Sequence, residues 1–163
     1  MIATSRLAGF FAAHAIWCVE DGETLIPILA YSTADGERQM ERLLLNDDLA
    51  ASVNLGKEKL GTNPMSADHA VLLYDGRITL EGEKKDAILL EMRSYVSPGS
   101  EAMMAVPYTP PSAGGFRVHR PKLLLWKNCG GFDMKAAVEA FFEGVESHEK
   151  GSKVWNDCRD DSR

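Results

Sequence analysis

The stretch Ala70-Val71-Leu72-Leu73-Tyr74-Asp75-Gly76-Arg77-Ile78-Thr79-Leu80-Glu81 decides the fold class. Two β-rich runs flank an Asp-Gly pair. Asp-Gly tolerates the positive φ angles that tight primed hairpin turns require, so residues 70–74 and 77–81 read as antiparallel partners. Asp21-Gly22 and Asp35-Gly36 repeat the signal upstream. The first predicts strands over 15–20 and 24–31. The second turns residues 29–32 back onto a strand over 37–45, although Met, Glu, Arg and Leu there are also good helix formers. Downstream, 87–96 alternates Ile88, Leu90, Met92 and Ser94 with Leu89, Glu91, Arg93 and Tyr95. That pattern fits a strand with one dry face. Further strands are expected over 103–108 and 116–126, the latter interrupted at Pro121. Pro27 and Pro107 lack an amide hydrogen, which predicts an edge or bulged strand at Pro27 and an edge strand at Pro107.

Three helices complete the pattern. Thr4 or Ser5 caps a short one reaching Ala13, with Leu7, Phe10, Phe11 and His14 on one face. Asn46 caps the second, which Gly61 ends and Pro64 prevents from resuming. The third spans 133–150 and carries Met134, Val138, Phe141, Phe142 and Val145 at helical spacing. The predicted fold is therefore α+β: an antiparallel sheet of about six strands built from Asp-Gly hairpins, with two or three helices packed mainly on one face. Residues 1–151 form one such domain. Residues 152–163 form a polar tail bearing Trp155.

Charge and cysteine usage narrow the function. With 24 acidic against 18 basic residues the net charge is −6, which repels phosphate backbones and disfavours nucleic acid as a partner. The apolar run 7–19 follows Arg6 but is shorter than a bilayer span, and acidic residues follow it where a signal peptide would carry small ones. No membrane role is expected. Cys18, Cys129 and Cys158 are odd in number and widely spaced, which predicts reduced thiols in a cytoplasmic protein rather than a disulfide framework.

No metal, nucleotide or catalytic motif occurs, and no cofactor is expected. The weak catalytic candidates are Cys129, His119 and Glu91. Cys129 lies in a glycine-rich loop beside Lys127 and ahead of a helix, a setting that favours a thiolate. It needs a base, and His119 would lie roughly 30 Å along a regular strand. Asp75 with Glu91 and Arg93 has the outline of a divalent-ion carboxylate pair, but Arg93 stands where a lysine would position water and the turn already explains Asp75. His14 and Cys18 are four apart, with the expected helix–strand boundary between them. The weak binding candidates are Arg117, Arg120 and Trp126, since bases interleaved with aromatics on a strand can hold single-stranded nucleic acid, and Trp155, an aromatic on an otherwise polar tail. The functional expectation is a small acidic, non-enzymatic protein-binding domain, adaptor- or chaperone-like, acting as a homodimer or within a complex. The alternative is a small-ligand binder or hydrolase with a pocket near the Cys129 loop.

Overall fold

A computed structural model describes residues 1–163. In chain order the elements are α1 (Ile2–Val19), β1 (Ile28–Ser32), β2 (Arg38–Arg42), α2 (Leu49–Thr62), β3 (His69–Leu80), β4 (Glu83–Ser94), β5 (Ser100–Thr109), β6 (Arg117–His119), β7 (Lys122–Lys127), α3 (Met134–Ser147), α4 (Glu149–Asp157) and β8 (Arg159–Asp160). The eight strands form one sheet in the order β2-β1-β3-β4-β5-β6-β8, with β7 beside β5. All pairs are antiparallel except β6 with β8. The fold is α+β as predicted. The sheet is larger than expected and there are four helices.

The Asp-Gly signals divide. Asp35-Gly36 does close a hairpin: Gly36 has φ +78° and donates its amide to Thr33, and Ser32 pairs with Arg38. Asp75-Gly76 does not turn. It lies inside β3, where Asp75 pairs with Ile88 and Gly76 with Ala87. The turn comes at Glu81-Gly82, both at positive φ (+51° and +82°), between paired Leu80 and Glu83. This is the two-residue primed geometry with a glutamate in the usual Asp or Asn place. Gly76 has a packing reason instead, since a Cβ there would lie 2.7 Å from Leu89 Cδ1. Asp21-Gly22 is no hairpin either, because Gly22 ends α1 by donating to the Val19 carbonyl.

Helix α1 corrects the largest error of the sequence reading. Residues 15–20 are helical almost throughout, in one element of 18 residues. A helix apolar on nearly every side must be covered on nearly every side. The sheet covers one side of α1 through Val71, Leu73, Ile88 and Leu90, while α3 and α4 cover the other through Phe141, Val145 and Trp155. The approach is close because small residues meet there. A Cβ added to Gly9 would fall 1.8 Å from the Phe141 carbonyl oxygen, one on Gly144 would fall 2.1 Å from that of Arg6, and one on Gly151 would fall 2.4 Å from that of Ala13.

Helix α2 packs on the opposite face, over Leu29, Ala70, Leu72 and Tyr74, so the helices are not confined to one side. Its N-cap is Asp48, which accepts from the Ala51 amide; Asn46 and Asp47 form the turn before it. It passes Gly61 and ends with Asn63 in the left-handed conformation.

The edge positions predicted for the prolines are also revised. Pro27 lies just outside β1, an interior strand. Pro107 sits within interior β5 at a local gap, after β7 has ended (Ala105 opposite Lys122) and before β6 begins (Tyr108 opposite Val118). The break at Pro121 does separate β6 from β7 as expected. Residues 152–163 are not a frayed tail. Helix α4 continues through Asp157 and β8 pairs with β6. His148 ends α3 and starts α4, its Nδ1 accepting the Gly151 amide.

Candidate protein-binding surface

The three catalytic candidates are not brought together. Cys129 is 1% exposed, and its thiol donates to the carbonyls of Lys127 (3.1 Å) and Glu101 (3.5 Å). The Cys129 thiol is thus enclosed by backbone carbonyls, with no histidine among its hydrogen-bond partners. His119, on β6, is buried and has partners of its own: Nε2 meets Thr109 Oγ1 at 2.8 Å and Nδ1 meets the Asp160 carbonyl at 3.3 Å. Glu91 lies on the α2 face of β4. It accepts from the Tyr74 hydroxyl at 2.8 Å, and Lys57 lies 3.6 Å away. Burial, then Glu91 itself, pushes the Tyr74 phenol well above its ordinary value. Asp75 lies on the other face, where both its oxygens accept from Tyr108 at 2.9 Å. Burial raises its carboxyl. Asp75 and Glu91 therefore share no ion site.

The binding candidates separate as well. Arg117 reaches Asp160 at 4.0 Å, and Arg120 donates to the Asp161 carbonyl at 3.0 Å, so both serve to tie the C-terminal residues to β6. Trp155 is 3% exposed and belongs to the core between α1 and α3. Trp126 lines an apolar crevice between β7 and α3 with Met92, Met104, Leu123, Met134 and Val138.

Around that crevice lies the feature the sequence reading missed. Leu123, Leu124 and Leu125 are 42%, 46% and 42% exposed, and Met134 and Val138 of α3 are 44% and 46% exposed. Of the apolar residues at helical spacing on α3, Phe141 and Val145 are buried with Ala137, Ala140 and Gly144, whereas Met134 and Val138 are exposed. The leucines owe their position to a β-bulge. Met103 pairs with Leu125 and Met104 with Leu123, which leaves Leu124 opposite no residue of β5. A bulge breaks the two-residue alternation and re-aims side chains. Pairing only with β5, β7 has a free outer edge. Of the other free edges, β8 is only two residues long, and β2 carries Arg38, Gln39, Glu41 and Arg42 around Met40, the usual polar protection. On β7 only the flanking Lys122 and Lys127 supply it. A signal was present in the sequence, since three consecutive leucines on an outer strand cannot all face one core.

Two of the histidines, His14 and His148, form a separate cluster. His148 Nδ1 takes the Gly151 amide, so its Nε2 carries the proton and donates to His14 Nδ1 at 3.1 Å. Arg42 acts on His14 and Arg38 on His148, while Phe10 and Trp17 pack beside the pair. Burial foremost holds all four histidines of the chain below the ordinary imidazole value of 6.5. The sign follows from linkage: the unfolded chain takes up protons that the fold refuses as the pH falls through about 6.5, so stability falls with it. Thermal denaturation should show Tm level above about pH 7.5 and declining toward about pH 5. His14→Gln with His148→Asn, which retains a capping side chain, should flatten that decline. A Tm rising on acidification across this window would contradict the neutral pair.

No protein-family model matches this chain, and neither a curated protein nor a solved structure matches it.

Proposed function

We propose that this protein is a small acidic protein-binding domain that acts as a homodimer through the β7–α3 surface. The observation that carries the reading is the set of five large apolar side chains on β7 and α3, each more than two-fifths exposed, beside an unpaired edge strand. A soluble monomer rarely keeps such a patch bare, and a patch of this kind marks an interaction site. The bulge at Leu124 and the lysines at both ends of β7 work against open-ended strand pairing. Packing of side chains across the patch is therefore the mode favoured, with the Trp126 crevice as its anchor.

A second copy suits the patch better than an acidic or basic partner. The chain carries −6 overall, yet charges beside the patch are paired: Lys127 lies 3.8 Å from Glu101 and Lys135 4.0 Å from Glu139. Two copies can approach there without like-charge opposition. Three free cysteines fit a reducing, cytoplasmic setting.

Sedimentation of the purified protein tests this reading. The wild type is expected at about twice the chain mass. Leu124→Glu and Val138→Glu should each give a monomer with unchanged circular dichroism, since exposed sites cost roughly 0.5 kcal/mol or less. A wild type that stays monomeric up to its solubility limit would overturn self-association.

A further inference from the structure

A groove of about 450 Å³ lies between the start of α1, the β1–β2 turn and the start of β3. Its volume falls in the range of small-ligand sites. Its lining is polar and contains two charges that nothing in the protein neutralises. Arg38 is one of two arginines, with Arg42, that make neither an ion pair nor a hydrogen bond; the other seven have such partners. Its guanidinium instead lies over the Phe10 ring, 3.7 Å from the centroid. Stacking fixes the plane of the group and leaves its N–H edge free. Across the groove, Asp68 pairs through its backbone with Ser32 and Tyr95, while its carboxylate has no partner. Arg38 and Asp68 are not ion-paired to each other. Arg6, on the rim, is already bound to Glu143 at 3.0 Å.

Between the two charges stand neutral polar groups. His69 is anchored through Nδ1 on the buried hydroxyl of Thr4 at 2.8 Å, which leaves Nε2 unpartnered. Ser32 is buried as a residue, and its hydroxyl makes no hydrogen bond. We propose that this groove binds a small zwitterion of the α-amino-acid class. Its carboxylate lies on Arg38, its ammonium on Asp68, and its side chain beside Ser32 and His69. A simple anion would meet the Asp68 charge, and a simple cation that of Arg38. Only a ligand carrying both signs leaves no charge opposed.

Calorimetric titration of the full-length protein with each of the twenty L-amino acids tests this. At least one should bind saturably, and its amide and N-acetyl forms, each lacking one charge, should not. Arg38→Gln and Asp68→Asn should each weaken binding about tenfold or more, the loss of one charge-assisted contact. Arg42→Gln, which removes the other unpaired arginine, should leave binding unchanged. Circular dichroism of each variant checks the fold. Failure of all twenty to bind overturns the proposal. So does acetate or phosphate binding that Asp68→Asn tightens, which would mean an anion site. The outcome is independent of the β7–α3 surface.

Discussion

Gly144→Ala is expected to destabilise the protein by about 3 kcal/mol or more, the upper end of overpacking penalties. The ordinary remedy for an overfilled site is rotation of a side chain. Here the obstacle is backbone: the new Cβ would sit 2.1 Å from the Arg6 carbonyl oxygen and 2.8 Å from the Phe10 nitrogen. Helix α1 must move away from α3, and each ångström of separation takes contact from Phe141 and Val145, both 1% exposed. Gly61→Ala is the matched control. It lies near the end of α2 with nothing within 4 Å of the added methyl. There the lower chain entropy of alanine should stabilise by about 0.5–1 kcal/mol. Urea denaturation of the two variants should therefore move the midpoint in opposite directions. A Gly144→Ala midpoint equal to that of wild type would refute the close approach of α1 and α3.

Trp155→Ala should cost about 3–5 kcal/mol, the penalty for emptying a large buried aromatic site. The indole packs edge-on to Phe141 with ring centroids 6.3 Å apart and sits over α1 with Val154 and Cys158 nearby. Trp126→Ala gives the contrast. That ring is partly exposed beside the leucines of β7, so its removal should cost less stability while weakening self-association. The two tryptophans thus separate two readouts, thermal unfolding and sedimentation. If Trp155→Ala leaves Tm unchanged, α4 is not docked as described.

Those two tryptophans also mark how far the sequence could be read. Trp126 reads as a binding candidate from its place among bases, and the structure places it in the crevice between β7 and α3. Trp155 looked like an exposed aromatic on a polar segment because Ser152, Lys153, Asn156 and Asp157 surround it. Its burial comes from one turn of α4, whose inward face is only Gly151 and Trp155. A stripe two residues wide gives almost no periodic signal. Local turn chemistry was legible where it was decisive, as at Asp35-Gly36 and Pro121. It misled at Asp75-Gly76 because Asp-Gly is compatible with a strand interior when a neighbour such as Leu89 occupies the space of the absent side chain. Residues 15–20 read as a strand because Ile16, Trp17 and Val19 favour β structure locally. Burial on all sides of α1 outweighed that preference. The β7–α3 surface stayed hidden for another reason. Alternation assumes regular pairing, and the extra residue at Leu124 breaks it. The Arg38–Asp68 groove was beyond reach, since it depends on which strands are neighbours.

The placement of α1 has a consequence for synthesis. The ribosome makes this apolar helix well before the helices that cover its far side, which begin only at Met134. At about 5–20 residues per second, the nascent chain carries a bare greasy rod for on the order of ten seconds. The domain therefore closes after translation of α3 and α4 rather than during it. A ribosome stalled before α3 should display a chain that is open to protease and held by chaperones that grip apolar segments.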